Sequence, residues 1–188
     1  MKNTVKVGLV IGSLREGSYN RIVSEKIADL LPDNFEVTEL KIDDLPFYNE
    51  DLDVDGKVPE SWERLRKEVA EQDAYIFATP EYNRSYSAVI KNGLDVASRP
   101  YGENKWAGKP ALVTSVSIGG IGGFGANQHL RQSLVFLDVY PLQQPEVYMG
   151  PAAEFIEDGE VTNESTVEFL GQIADAFVEH VARFIDVD

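Results

Sequence analysis

The 188-residue sequence contains no cysteine. Disulfides, thiolate nucleophiles, zinc–cysteine sites and cysteine-held iron–sulfur clusters are therefore excluded together. It has only two histidines, His129 and His180. Both fall in stretches of helical spacing, with no carboxylate or second histidine at a metal-ligand distance in sequence. Each reads as an ordinary surface or interface residue, and no metal site is expected. Positive charge is scarce: 17 Lys and Arg stand against 32 Asp and Glu, a formal net charge of -15. A surface of that sign repels nucleic-acid duplexes and anionic membranes. It still admits an anionic ligand, because a phosphate needs only a local cluster of donors. No apolar run approaches the length of a membrane span. The opening "MKNTVKVGLVIGSL" has a short apolar run without a small-residue cleavage site, and reads as a buried first strand instead of a targeting signal. A G-x-S-x-G elbow and a Walker lysine are also missing. The expectation is a cytoplasmic protein with neither nucleic-acid nor membrane partners.

What is present is enough hydrophobic residue, 43% of the chain, to build the core of one domain over residues 1–188. Strand and helix patterns alternate five times. Residues 5–12, "FEVTELKI" (35–42), "AYIFATP" (74–80), "KPALVTSVS" (109–117) and "VYPLQQPEVYM" (139–149) read as extended, the last interrupted by prolines. Between them, 20–31, "ESWERLRKEVAEQ", "YSAVIKNGLDVAS" and "NQHLRQSLVFLD" read as helices, and "ESTVEFLGQIADAFVEHVARFID" closes the chain with an apolar stripe. Trp62 and Trp106 read as packing residues. Continuous apolar strands alternating with helices indicate an α/β protein, a doubly wound five-stranded parallel sheet with helices on both faces.

Ligands in such sheets bind beyond the carboxyl ends of the strands, and three unusual loops lie there. The first is "GSLREGSYN". A helix N-terminus offers free N–H groups and a positive dipole end. Ser13, Arg15, Ser18, Tyr19 and Asn20 add a density of donors suited to a terminal phosphate, more than the N-cap that Ser18 or Asn20 alone would provide. The second is "PEYNRS". Pro80 fixes the chain as it leaves the strand. Glu81, Tyr82 and Asn83 then offer backbone donors and an aromatic wall to a planar heterocycle, or else a βα turn in which Asn83 or Ser85 caps the next helix. The third is "SVSIGGIGGFG". Ser115 and Ser117 precede a glycine run that includes Gly119 and Gly120. Gly120, Gly122 and Gly125 fit G-x-G-x-x-G, but that fingerprint belongs to a first βα turn with further strands to follow, and here only one remains. A loop that lets backbone approach a ring edge is the reading.

The long loop 43–59 holds a decoy. Asp51, Asp53, Asp55 and Gly56 match the start of a calcium loop, but the twelfth position is Trp62 instead of the bidentate glutamate.

The three loops together resemble the NADPH-dependent FMN reductase family, most closely its chromate/quinone reductase branch, which includes azo reductases. The resemblance implies a flavodoxin-like fold with strand order 2-1-3-4-5 and FMN at the switch point. It implies that Ser13, Arg15, Ser18 and Asn20 hold the FMN phosphate, that Glu81, Tyr82 and Asn83 line the flavin ring mostly through backbone, and that Ser117 touches it. Electrons would pass from NADPH or NADH through FMN to a small-molecule acceptor such as a quinone, an azo compound, chromate or free flavin. No catalytic side chain is implied. A flavodoxin-like electron carrier without nicotinamide turnover is the alternative. Homodimers or homotetramers are also implied, with Tyr86, Phe124 and the "HLRQ" helix as interface candidates. The sequence departs from the family pattern at Ser87 and Ala88, at Gly93 and at Val96, positions expected to affect the helix start and the pocket wall.

Overall fold

The computed structural model describes residues 4–185. The first three residues of the opening stretch and Asp186, the last residue of the expected closing helix, lie outside that range. Five helices and a parallel sheet account for the expected alternation. Strands β1 (Val5–Ile11), β2 (Phe35–Glu39), β3 (Ala74–Thr79), β4 (Pro110–Val116) and β5 (Tyr140–Pro141) pair in the order β2-β1-β3-β4-β5, all parallel. Helices α1 (Tyr19–Asp29), α2 (Glu60–Ala70), α3 (Ala88–Ala97), α4 (Phe124–Phe136) and α5 (Glu164–Val181) cover it.

Side-chain alternation along the buried strands creates two cores, one on each face. Val7, Leu9, Ile11 and Ile76 point to the face closed by α1 and α5, where they meet Val23, Ile27, Ile173 and Phe177. Val10, Tyr75, Phe77 and Val113 point to the face closed by α2, α3 and α4. Trp62 and Trp106 are both fully buried in this second core. The Trp106 ring lies 5.0 Å from that of Tyr75, and its indole N–H donates to Leu94 O at 3.3 Å.

Several boundaries differ from the sequence expectation. The second strand ends at Glu39, although Leu40 and Ile42 stay buried. The fifth extended segment is split: β5 and β6 (Val147–Met149) each pair with β4, and the break between them carries the cis peptide Gln144–Pro145. Arg131 donates to Leu142 O at 2.7 Å in that break, so a backbone group outside the ladder finds a partner there. Helix α4 starts at Phe124, inside the glycine loop. A small hairpin of β7 (Ile156–Glu157) and β8 (Glu160–Val161) follows, with a turn too short to show in the hydrophobic pattern.

His180 is a correction. It is buried, not a surface residue, and its Nε2 lies 2.7 Å from Tyr140 O, tying α5 to β5. Gly93 and Val96 are also buried, on the face of α3 that packs into the core. A Cβ on Gly93 would stand 3.2 Å from the Ile42 side chain, so the glycine serves close packing. In the calcium-like loop, both Asp53 oxygens are held by Arg66 at 2.8 Å.

Two contacts anchor α1, and each generates a test. Asn20 is buried, donates to Val116 O at 3.1 Å and accepts from Val116 N at 2.9 Å. Replacing it with alanine leaves a buried backbone pair unsatisfied, so Asn20→Ala should lower unfolding free energy by about 1–3 kcal/mol in denaturant titration. Arg21 grips Glu39 with two bonds of 2.7 Å and also reaches Glu25. The Arg21 hydrogen bonds hold the Glu39 carboxyl below the ordinary carboxylate range. A depressed carboxylate stabilises the fold above its unfolded pKa and loses that contribution as pH falls through its folded pKa. Both groups are partly exposed, so the effect is small. The melting-temperature gap between the native protein and Glu39→Gln should therefore be present at about pH 7 and vanish toward about pH 2.

Candidate functional site at the carboxyl ends of the strands

Loops leaving β1, β3 and β4 converge at one edge of the sheet because these three strands are adjacent and parallel. The first, residues 12–18, runs from β1 into α1. Gly12 starts it where no side chain fits: a Cβ would stand 2.5 Å from both Ser87 Oγ and Ile90 Cδ1. Ser18 caps α1, its Oγ accepting from Arg21 N at 3.3 Å. The cap uses a lone pair, so the hydroxyl proton stays available. Ser13 is buried, and its hydroxyl has no hydrogen bond within the protein among the described residues. The Arg15 guanidinium lies over the Tyr19 ring, 4.8 Å from its centroid, with no carboxylate partner among the described residues. The first-turn N–H groups of α1 have no intrahelical acceptor. A cleft of about 540 Å³ opens beside this loop, lined by Ser13, Arg15, Arg21, Glu39 and Lys41.

The second loop leaves β3. Thr79 Oγ1 donates to Pro80 O at 2.9 Å and receives the Ser87 N–H at 3.4 Å. Tyr82 and Ser85 pair through both backbone groups at 3.0 Å, with Asn83 and Arg84 at positive φ between them. This is a two-residue hairpin of the kind that left-handed central residues close. Asn83 therefore makes the turn and caps no helix. Tyr82 is exposed, as an aromatic wall requires. The Glu81 side chain turns to α4, where Oε2 accepts from Ala126 N at 3.0 Å. Ser85 Oγ lies 2.9 Å from His129 Nδ1, which ties the hairpin to α4 again.

The third loop leaves β4. Ser115 is fully buried, donates to Gly122 O at 2.9 Å and lies 3.4 Å from Asn127 Nδ2. Gly122 has φ 67°, and a Cβ there would stand 2.5 Å from the Tyr148 and Met149 backbone. Only glycine lets this loop lie against β6. Ser117 Oγ donates to Gly119 O at 2.9 Å, a local turn. Around Gly120 the space is open.

A model of the NADPH-dependent FMN reductase family matches residues 5–154. A quinone reductase of Pseudomonas putida is 48% identical over 181 residues, 96% of this chain and 97% of that protein. This chain belongs to the NADPH-dependent FMN reductase family. Within the family, FerB, a flavoenzyme NAD(P)H:(acceptor) oxidoreductase from Paracoccus denitrificans, superposes with a TM-score of 0.88 at 40% identity, covering 96% of this chain and 99% of that one. A flavodoxin variant from Pseudomonas aeruginosa, 16% identical with a TM-score of 0.56 over 93% of this chain and 99% of that one, shows the flavodoxin-like fold.

The residues present fit the family's cofactor. Arg15, without a carboxylate partner among the described residues, the available hydroxyl protons of Ser13 and Ser18 and the first turn of α1 form a donor set for a phosphate dianion. Asn20 and Ser115 also build the frame of the site: Asn20 uses its side-chain oxygen and one of its two amide N–H groups on Val116, and Ser115 uses its hydroxyl proton on Gly122. Three contributors escaped the sequence reading: Thr79, Asn127 and the Glu81 carboxylate. Only the last left a signal, since the helix beginning "FGANQHL" has no serine, threonine or acidic residue at its start. Tyr86 is buried, its hydroxyl 2.9 Å from Ser133 Oγ, which removes it from the interface candidates; Phe124 is exposed and packs edge-on against Tyr148.

Arg15 is the charged member of the donor set. Arg15→Ala should weaken FMN binding by about 1.5–3 kcal/mol, the range for a hydrogen bond to a charged group. Fluorescence titration of the apoprotein measures it, and unchanged affinity would remove the phosphate from this loop.

Proposed function

We propose that FMN binds across the three loops, its phosphate against Ser13, Arg15, Ser18 and the first turn of α1, its ring between Pro80–Asn83 and Ser117–Gly120. The protein is an NAD(P)H-dependent FMN and quinone reductase. The observation that carries the placement is Arg15, which has no carboxylate partner among the described residues and stands beside a helix N-terminus at the sheet end where all three loops meet.

When bound, FMN supplies electron exchange with both the nicotinamide donor and the acceptor. The chain supplies position. The N–H groups of Glu81 and Asn83 and the backbone of the glycine loop would be available to the ring edge, while the Tyr82 N–H is taken by Ser85 O at 3.0 Å. The electron exchange belongs to the cofactor, so we assign no catalytic side chain.

The rim favours a planar, largely apolar acceptor. Leu14, Tyr82, Ile118 and Ile121 are all exposed on the three loops. A quinone suits that surface better than a small oxyanion does. Azo compounds fit the same argument; chromate and free flavin are secondary acceptors. Either dinucleotide is admitted, since no arginine cluster marks a 2′-phosphate. A cytoplasmic enzyme of one domain accords with a diffusible donor, and Val135 and Phe136, exposed at the end of α4, suit a homodimer or homotetramer contact.

The test is the visible absorption spectrum of the purified protein, followed by NADPH without oxygen. Flavin bands that bleach within turnover time are expected. Bands that persist with both NADPH and NADH would favour an electron carrier, and a colourless protein that ignores added FMN would overturn the placement.

A further inference from the structure

Helix α4 begins without a cap of its own. Gly123 stands at the N-cap position with φ 81° and brings no side-chain acceptor. The acceptor comes from 45 residues earlier: Glu81 Oε2 takes the Ala126 N–H at 3.0 Å. The approach is close enough that a Cβ on Gly125 would stand 3.0 Å from the same oxygen. The other carboxylate oxygen lies 3.4 Å from Arg84 Nη1, and the Glu81 side chain is only 15% exposed. An anionic acceptor on the positive end of a helix is a favourable pairing. Its two ends belong to different loops: Glu81 follows Pro80 at the end of β3, and Ala126 follows the glycine run after β4.

We propose that Glu81 is a positioning residue, a clamp that sets the gap between the second and third loops by capping α4 from across it. The inference rests on the FMN reading, because that gap is where the flavin ring is placed. Without the clamp, the Ala126 N–H loses its acceptor and the glycine run keeps only its anchors at Ser115 and Ser117, so it becomes looser. FMN binding then has to order that run, and affinity falls by the cost of doing so.

The geometry separates reach from charge. Glu81→Gln keeps a carbonyl oxygen at the same reach but removes the charge. Glu81→Asp keeps the charge but withdraws it by about one C–C bond, ~1.5 Å. Glu81→Ala removes both. A clamp predicts that Gln behaves like the native residue while Asp and Ala do not. A carboxylate acting by charge predicts the opposite order for Gln and Asp.

Apoproteins of the native chain and the three variants would be titrated with FMN by fluorescence, and amide hydrogen exchange followed over residues 117–126. Glu81→Ala and Glu81→Asp should bind FMN roughly tenfold or more weakly, and Glu81→Gln within about threefold of native. Exchange across 117–126 should speed up in Ala and Asp only. Native affinity and exchange in Glu81→Asp, or a Gln variant as weak as Ala, would overturn the clamp. Should the Ala variant not fold, the Asp and Gln pair still decides. The exchange arm needs no flavin, so a native protein that fails to bind FMN would sink the flavin reading alone while the clamp is judged separately.

Discussion

One buried side chain makes the site possible. Asn20, in the first turn of α1, donates to and accepts from the backbone of Val116 at the end of β4. The two strands whose loops it joins are not neighbours, since β3 lies between β1 and β4. The fork therefore pulls the first loop over the end of β3 and fixes it to the start of the third. A single bond would allow rotation, whereas two opposed bonds to one residue set both distance and direction. Burial strengthens the arrangement, because the Val116 groups have no water to fall back on. The first turn of α1 and the glycine loop are thereby held in one frame before any ligand arrives.

Around that frame, polar residues divide into those that hold the loops and those left available. Ser115 bonds Gly122, Ser117 bonds Gly119, Thr79 bonds Pro80 and Glu81 bonds Ala126. Ser13, Arg15 and the Ser18 hydroxyl proton remain. Depth does not make this division: Ser13 and Ser18 are buried and left available, whereas the more exposed Ser117 is bonded. A buried hydroxyl proton without a protein partner is one that a bound ligand can satisfy. The Ser87 hydroxyl is likewise buried, beside Gly12, with no partner among the described residues.

Much of this was legible in the residues, and the exceptions share a cause. Strands such as "AYIFAT" announce themselves as continuous apolar runs because both faces of a parallel sheet are covered. The first loop announces itself because its donors crowd into nine residues. The division of the fifth strand did not show, since prolines reveal an interruption without saying where pairing resumes. His180 looked like a surface residue because an acceptor 40 positions away cannot be read from helical spacing. Asn83 and Ser85 were candidate caps, and the hairpin decided against both because the left-handed pair closes a turn before α3 begins.

The order of elements, the two-sided burial of the sheet and the three loops at which a ligand would be sought can all be read from the residues alone. These follow from periodicity and composition within short windows. Which donors in those loops are free depends on the folded chain. Whether Asn20 meets a phosphate or a backbone depends on Val116, 96 residues away, and whether Glu81 meets a ring or a helix depends on Ala126. Hydrogen bonds form between neighbours in space, and spatial neighbours across a sheet edge are set by strand order.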